Sequence, residues 1–354
     1  MIRRYFGIFF LLFIFTYSLF FMSYKRHDYQ RFGQGDAYYC ELVKSPFDSS
    51  LYSLDNFRYR VLTPLIVKSI HWLPFYNTTI QSDFPDQRDQ SIFFHFLFVN
   101  YLFMLFTACC YFFLLERYYG IPPTICYLMS FFILLSFHSM RSSYIMLTDA
   151  GTHFFIACLF ILYKQNQWLA FLLSSVLAIF QKETVIIIML IIFFIEFLFQ
   201  EKHSLKRHTI INYCFLCVPS LIFLFIFKQI YPTDQFFHTH SITGYLNNFL
   251  SFFNYRTYTL NFIANSFISF LPLIAAMIAH LWLRINKHTV MYNAKRLIIW
   301  PIIFLLALTI GVDSSNEGRI AFFGLPIYIP YLAHILLSLS QSKILPSIDS
   351  HKKS

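Results

Sequence analysis

The sequence predicts an all-α polytopic membrane protein that crosses a lipid bilayer about ten times, and three observations predict it. First, the 354 residues are 57% hydrophobic and only 12% charged, a mixture too apolar to pack into one soluble core. Second, the apolar residues form about ten runs, each ended by a turn-breaking residue or a charge cluster. Third, the charges between runs are sorted, with basic residues on one side of the membrane and acidic residues on the other. The formal charge of +10 comes mainly from short basic segments that orient helices, so a nucleic-acid partner is excluded. Forty-seven Phe and 24 Tyr against 9 Gly give a bulky chain in which Gly-mediated helix packing, common in channels and transporters, is little used.

The chain reads as a single membrane domain over residues 1–354, with a long first external loop at 23–90 and a second at 231–258. The first span runs from Phe6 to Met22. It follows Arg3 and Arg4 and lacks a small-residue cleavage site, which makes it an uncleaved anchor with a cytoplasmic N-terminus. The later spans are Ile92 to Leu115, Ile121 to Phe137, Tyr144 to Tyr163, Trp168 to Phe180, Val185 to Phe199, Ile210 to Phe227, Leu260 to Leu283, Leu297 to Gly311 and Ile320 to Ser338. The block from Trp168 to Phe199 is short for two crossings and can also be read as a re-entrant hairpin. Two passes put Lys202, Lys206, Arg207, Arg284, Lys287, Lys295, Arg296, Lys343, Lys352 and Lys353 in the cytoplasm and leave only Lys228, Arg256 and Arg319 outside. Positive charge in short loops stays inside, so two passes are preferred and both termini are cytoplasmic, in a bacterial inner membrane or a plasma membrane.

This topology gathers Asp36, Glu41, Asp149, Glu183 and Asp313, with most other acids, on the outer face. Asp149 is placed about a turn inside its span, and Lys182 with Glu183 interrupts an apolar block. Each centrally placed charge costs about 2.5 to 3.5 kcal/mol on insertion scales, so such residues pair or line a wet cavity. The first external loop combines Gly33-Gln34-Gly35-Asp36-Ala37-Tyr38-Tyr39 with Arg58-Tyr59-Arg60-Val61-Leu62-Thr63-Pro64. After Arg60, the residues Val61, Leu62, Leu65, Ile66, Ile70 and Leu73 follow the spacing of one helix face and end beside Trp72, which suits an interfacial amphipathic helix. In the second external loop Ile242, Tyr245, Leu246, Phe249 and Phe253 repeat the pattern. Packing of either helix against the first span is the alternative.

In the order and spacing of these motifs the chain resembles the GT-C superfamily of membrane glycosyltransferases. The residues that carry the likeness are Asp36 with its Tyr pair, Arg58-Tyr59-Arg60 running into Pro64, Asp149 opening the fourth span, Lys182-Glu183-Thr184, and Asp313 with Arg319 before Pro326. The resemblance implies a GT-C-like architecture, a polyprenyl-phosphate-linked sugar donor, an acceptor that is a lipid-linked glycan, polysaccharide or protein, and an active site on the external face. It names no subfamily and no sugar. Some relatives carry two neighbouring acids in the first loop, whereas the nearest acid to Asp36 here is Glu41, so a diacidic site is not matched.

Displacing a lipid phosphate from an anomeric carbon needs a base for the acceptor proton and cations for the charge growing on the leaving phosphate. Asp36 is the candidate catalytic base. Arg58, Arg60 and Arg319 are the candidate phosphate ligands, since a guanidinium fork matches phosphate oxygens, and Lys182 adds a point charge. Glu183, Asp149, Asp313, Tyr39 and Glu41 are the supporting residues. A single displacement inverts the anomeric centre. Lipid-headgroup anchoring is the competing role for each Arg.

Cys109, Cys110, Cys126, Cys158, Cys214 and Cys217 fall within spans and Cys40 stands alone outside, so no disulfide framework is implied. The sequence makes no cofactor certain, and Asp234, His238 and His240 offer a divalent cation a place in the second external loop. His95, His153 and His280 read as hydrogen-bonded structural residues. Two other function classes stay open: a transporter or flippase of a lipid-linked substrate, and a noncatalytic membrane assembly protein.

Overall fold

The computed structural model describes residues 2–26, 34–46, 60–73, 87–136, 148–199, 206–230, 256–288, 290, 292–299, 301–303 and 322–342. Among the described residues all regular structure is helical. In chain order the α-helices are α1 (Ile2–Arg26), α2 (Gln34–Lys44), α3 (Leu62–Ile70), α4 (Gln87–Tyr118), α5 (Pro123–Leu135), α6 (Asp149–Lys164), α7 (Trp168–Gln181), α8 (Thr184–Leu198), α9 (Arg207–Leu216), α10 (Val218–Ile230), α11 (Arg256–Ile285) and α12 (Leu325–Gln341). Single 3-10 turns occupy Ala294–Ile298 and Phe322–Gly324.

Helices coincide with the apolar runs because a backbone among apolar side chains must satisfy its own polar groups. Two stretches, Ser91–Tyr118 in α4 and Arg207–Ile226 across α9 and α10, are long and apolar enough to cross a membrane. The helices α5, α7 and α8 are apolar but hold 13, 14 and 15 residues, short of the roughly 20 that a full crossing takes. Ten helices of spanning length are therefore not found among the described residues. Local chemistry sets these lengths. Gly120, at φ 63°, lets the chain leave α4, and Pro123 starts α5 where a missing N–H costs nothing. Asn166, at φ 57°, ends α6 in a Schellman motif: its N–H donates to the Tyr163 carbonyl (3.0 Å) and that of Gln167 to the Leu162 carbonyl (2.9 Å).

Side-chain contacts sort the helix ends into two ends of one bundle. Asp149 at the start of α6 meets Lys182 after α7, whereas Lys164 at the end of α6 meets Glu196 near the end of α8. Both α7 and α8 thus run the length of α6, and the block 168–199 is a helical hairpin folded at Lys182 and Glu183. Helix α4 packs along α5 and α6 and brings Tyr119 beside Tyr292 and His334 at the Glu196 end. Antiparallel to α4 lies α1. Arg4 donates to Glu116 (2.5 Å), Thr16 and Tyr101 share a hydrogen bond (2.8 Å), and Phe20 stacks on Tyr101 at 4.8 Å between ring centroids. Many large apolar side chains stay exposed, among them Phe6, Phe15, Leu173, Phe225, Ile278 and Leu281. All seven cysteines are free thiols.

Two sequence expectations change. Asp149 is the first residue of α6 and not a turn inside it, because a carboxylate is favoured at a helix N-terminus, where backbone N–H groups lack partners. On α3, the deeply buried residues are Thr63, Pro64 and Val67, following Arg60 and Val61. The apolar spacing of Leu62, Leu65, Ile66 and Ile70 marks a half-buried face. Periodicity found residues that pack at the rim of the core, with Leu62, Ile66 and Ile70 against it, and missed the most deeply buried ones.

Candidate active site

The connection between α7 and α8 builds the site, because three consecutive residues each reach a different segment. Gln181, the last residue of α7, accepts from Thr63 Oγ1 (2.8 Å) and donates through Nε2 to the carbonyl of Thr148 (2.7 Å). Lys182, in extended backbone, donates to Asp149 Oδ1 at 2.5 Å. Glu183 accepts from Arg60 through both oxygens, from Nη2 at 2.8 Å and from Nε at 3.3 Å. The chain before α3 and the start of α6 are thereby fastened to one tip. The charges suit the helix ends that carry them: Asp149 and Glu183 stand at the N-termini of α6 and α8, and Lys182 at the C-terminus of α7.

Burial makes these contacts consequential. Gln181 and Thr63 are wholly buried, and Asp149 is 1% exposed. Gly151 lies beneath Gln181, where a Cβ would push the Gln181 amide aside. Tyr39 of α2 is buried against Phe96, with its hydroxyl beside Arg60 and Thr148. Burial raises its phenol above the usual value of 10, and the nearby Arg60 charge reduces that rise. One turn below Asp149, the buried His153 packs on Phe323 at 4.7 Å between rings, and Lys182 Nζ lies 5.8 Å from the same ring. Two cations and two carboxylates make the cluster neutral as it stands. An anion entering it would exchange places with a carboxylate and would meet two fork-matched or point cations near two helix N-termini.

Of the residues expected from the sequence, Tyr39, Arg60, Asp149, Lys182 and Glu183 are brought together here. Asp36 lies one turn before Tyr39 in α2, and its side chain is outside the described residues. Gly35 and Asp36 belong to the first turn of α2, again a favourable place for a carboxylate. Glu41 is bound to Lys44 (2.8 Å) on the surface of α2. Arg58, Asp313 and Arg319 lie outside the described residues, as do Asp234, His238 and His240. Among the described residues no group of three His, Cys, Asp or Glu side chains could hold a metal ion. The sequence has the two short helices of the 168–199 block meet at a polar tip of Gln181, Lys182 and Glu183, but sequence reasoning gave no role to Thr63, Thr148 or Gly151 and no partners to Gln181. The signal for them was an amide and a glycine set in apolar runs of a glycine-poor chain.

A second charged cluster closes the opposite end. Glu196 joins Lys164 (3.1 Å) and Arg296, all three essentially without solvent contact. Lys164 Nζ sits 5.0 Å from the Phe160 ring and 5.3 Å from that of Tyr163, and the Arg296 guanidinium is 5.3 Å over Tyr292. The triad carries one positive charge in excess, offset by aromatic faces and by the C-termini of α6 and α8.

The chain matches no protein-family model, and neither the curated proteins nor the solved structures contain a match to it.

Proposed function

We propose that this protein is a multi-pass membrane glycosyltransferase that moves a sugar from a polyprenyl-phosphate-linked donor to a lipid, glycan or protein acceptor. The observation that carries the reading is the convergence of Tyr39, Arg60, Asp149, Lys182 and Glu183, from segments remote in sequence, at one end of a helical bundle. That end is the external one in the ten-span topology, which the sorting of basic residues and the bundle-long hairpin of α7 and α8 both favour. The short helices are accommodated by a locally thinned bilayer, and the half-buried apolar face of α3 rests on the membrane interface.

In the reaction, Asp36 takes the proton of the acceptor hydroxyl. As that oxygen bonds to the anomeric carbon, the bond from carbon to phosphate oxygen breaks and its electron pair leaves with the phosphate. Arg60 and Lys182, with Arg58 and Arg319, hold the charge that develops there. Attack from the face opposite the leaving group inverts the anomeric centre. Glu183 and Asp149 keep the two cations in place until the phosphate replaces them. No step requires a metal, though a divalent cation would add to the same stabilisation.

The neutral pairing of the cluster also suits a transporter whose anionic lipid-linked substrate breaks the pairs. Mass spectrometry of lipid-linked sugars and surface glycans, with and without the protein, separates the two. A missing sugar residue with its carrier accumulating on the outer face supports transfer, whereas a complete carrier trapped on the inner face supports transport. Unchanged glycans and carriers would refute both.

A further inference from the structure

We infer that Gln181 is a positioning residue, seated on Gly151, that sets the two cations of the site at a fixed separation. The inference rests on the reading of the site as a lipid-phosphate site but concerns a residue that touches no reactant. Gln181 is wholly buried and uses both ends of its amide: Oε1 accepts from Thr63 Oγ1 at 2.8 Å and Nε2 donates to the Thr148 carbonyl at 2.7 Å. Thr63 follows Arg60 by three residues, at the start of α3, and Thr148 directly precedes Asp149. The amide is therefore a neutral strut lying between the two ion pairs, one end fixing the segment that carries Arg60 and the other the segment that fixes Lys182.

The ion pairs cannot do this work themselves. When an anion replaces Glu183 or Asp149, the ion pair that held Arg60 or Lys182 is given up, whereas the hydrogen bonds of the neutral amide persist through the exchange. Residues Arg60 and Lys182 then keep their separation because Thr63, Gln181 and Thr148 keep theirs. Gly151 belongs to the same device: a Cβ there would displace the amide from its present seat. An apolar side chain of the same volume could make neither of the two hydrogen bonds.

The test uses the full chain in lipid nanodiscs with farnesyl phosphate as the probe. Gln181→Leu keeps the volume and removes both hydrogen bonds, and Gly151→Ala displaces the amide without altering it. Each should weaken farnesyl phosphate binding per folded molecule by about tenfold, and each should speed hydrogen exchange in residues 60–73 while α4 exchanges as before. Gly151→Ala added to Gln181→Ser should cost nothing further, because the amide it would strike is gone. Normal exchange in 60–73, or normal probe affinity in both single variants, would overturn the strut. Failure of the unaltered protein to bind the probe would instead overturn the lipid-phosphate reading, and the exchange measurement would still decide whether the strut exists.

Discussion

Replacing Glu196 by Gln should destabilise the protein more than any change at its two partners, and the reason is a charge count. Lys164, Glu196 and Arg296 are 2%, 0% and 1% exposed at their side chains. With Glu196 present the triad holds one excess positive charge. In Glu196→Gln two cations face one another with no anion, and removing one member of a buried pair typically costs about 3 to 5 kcal/mol. That is a large part of the roughly 5 to 15 kcal/mol that holds a typical domain together. Lys164→Met runs the other way. It leaves a neutral Arg296–Glu196 pair and an apolar chain against Phe160 and Tyr163, so its effect should stay within about 1 kcal/mol of the original. Thermal unfolding of the purified protein in nanodiscs, followed by fluorescence-detected size exclusion, reads both. Equal melting of Glu196→Gln and the unaltered protein would refute the reasoning, for it would mean that water reaches the triad and screens it.

Three further outcomes follow from the proposed reaction and topology. Asp36→Asn should reduce turnover by on the order of a hundredfold with donor binding nearly intact, while Asp48→Asn and Asp55→Asn change little, measured at equal amounts of inserted protein. Arg60→Ala should raise the KM for the donor more than that for the acceptor, and Arg60→Lys should recover only part of it, because a point charge does not reproduce the fork; equal effects on both substrates would remove the phosphate role. In a cysteine-free background, single cysteines at Ser49, Ser241 and Ser315 should react with an impermeant thiol reagent from outside and one at Ser204 should not, and labelling of Ser204 with silence at Ser315 would invert the second half of the chain.

The apolar runs made the helices legible in the sequence, because period and composition report what a backbone surrounded by apolar groups must do. Charge asymmetry likewise anticipated that Lys182 and Glu183 stand at a turn between two helices. What periodicity could not give was the most deeply buried part of α3. That part is Thr63, Pro64 and Val67, entered through the buried Arg60 and Val61, polar at one end because Thr63 and Arg60 are satisfied by Gln181 and Glu183, and no pattern of apolar residues marks a polar group whose burial depends on a hydrogen bond 118 residues away. The inner triad escaped for a related reason. Glu196 looks like a stray acid near a cytoplasmic loop, and its two partners, Lys164 and Arg296, look like ordinary flanking cations until the fold turns them inward.

Glu183 offers the sharpest test of how the site works, since it is both a stabilising partner and a competitor. Its bidentate bond to Arg60 is partly buried, with side-chain exposures of 22% and 11%, so the attraction is neither fully screened nor that of a dry interior. Two opposite charges about 4 Å apart at an intermediate dielectric attract by about 4 kcal/mol before desolvation is subtracted, and what survives is of the order of 1 to 2 kcal/mol. Glu183→Gln should therefore lower the melting temperature of the empty protein, leaving Arg60 buried without its anion. The same loss removes the group that an incoming phosphate must displace. Farnesyl phosphate should then raise the melting temperature of Glu183→Gln by more than it raises that of the unaltered protein, and at saturation the two should melt close together. A ligand-induced rise no larger in Glu183→Gln than in the unaltered protein would show that phosphate and Glu183 do not compete for Arg60, and the anion would have to be placed elsewhere.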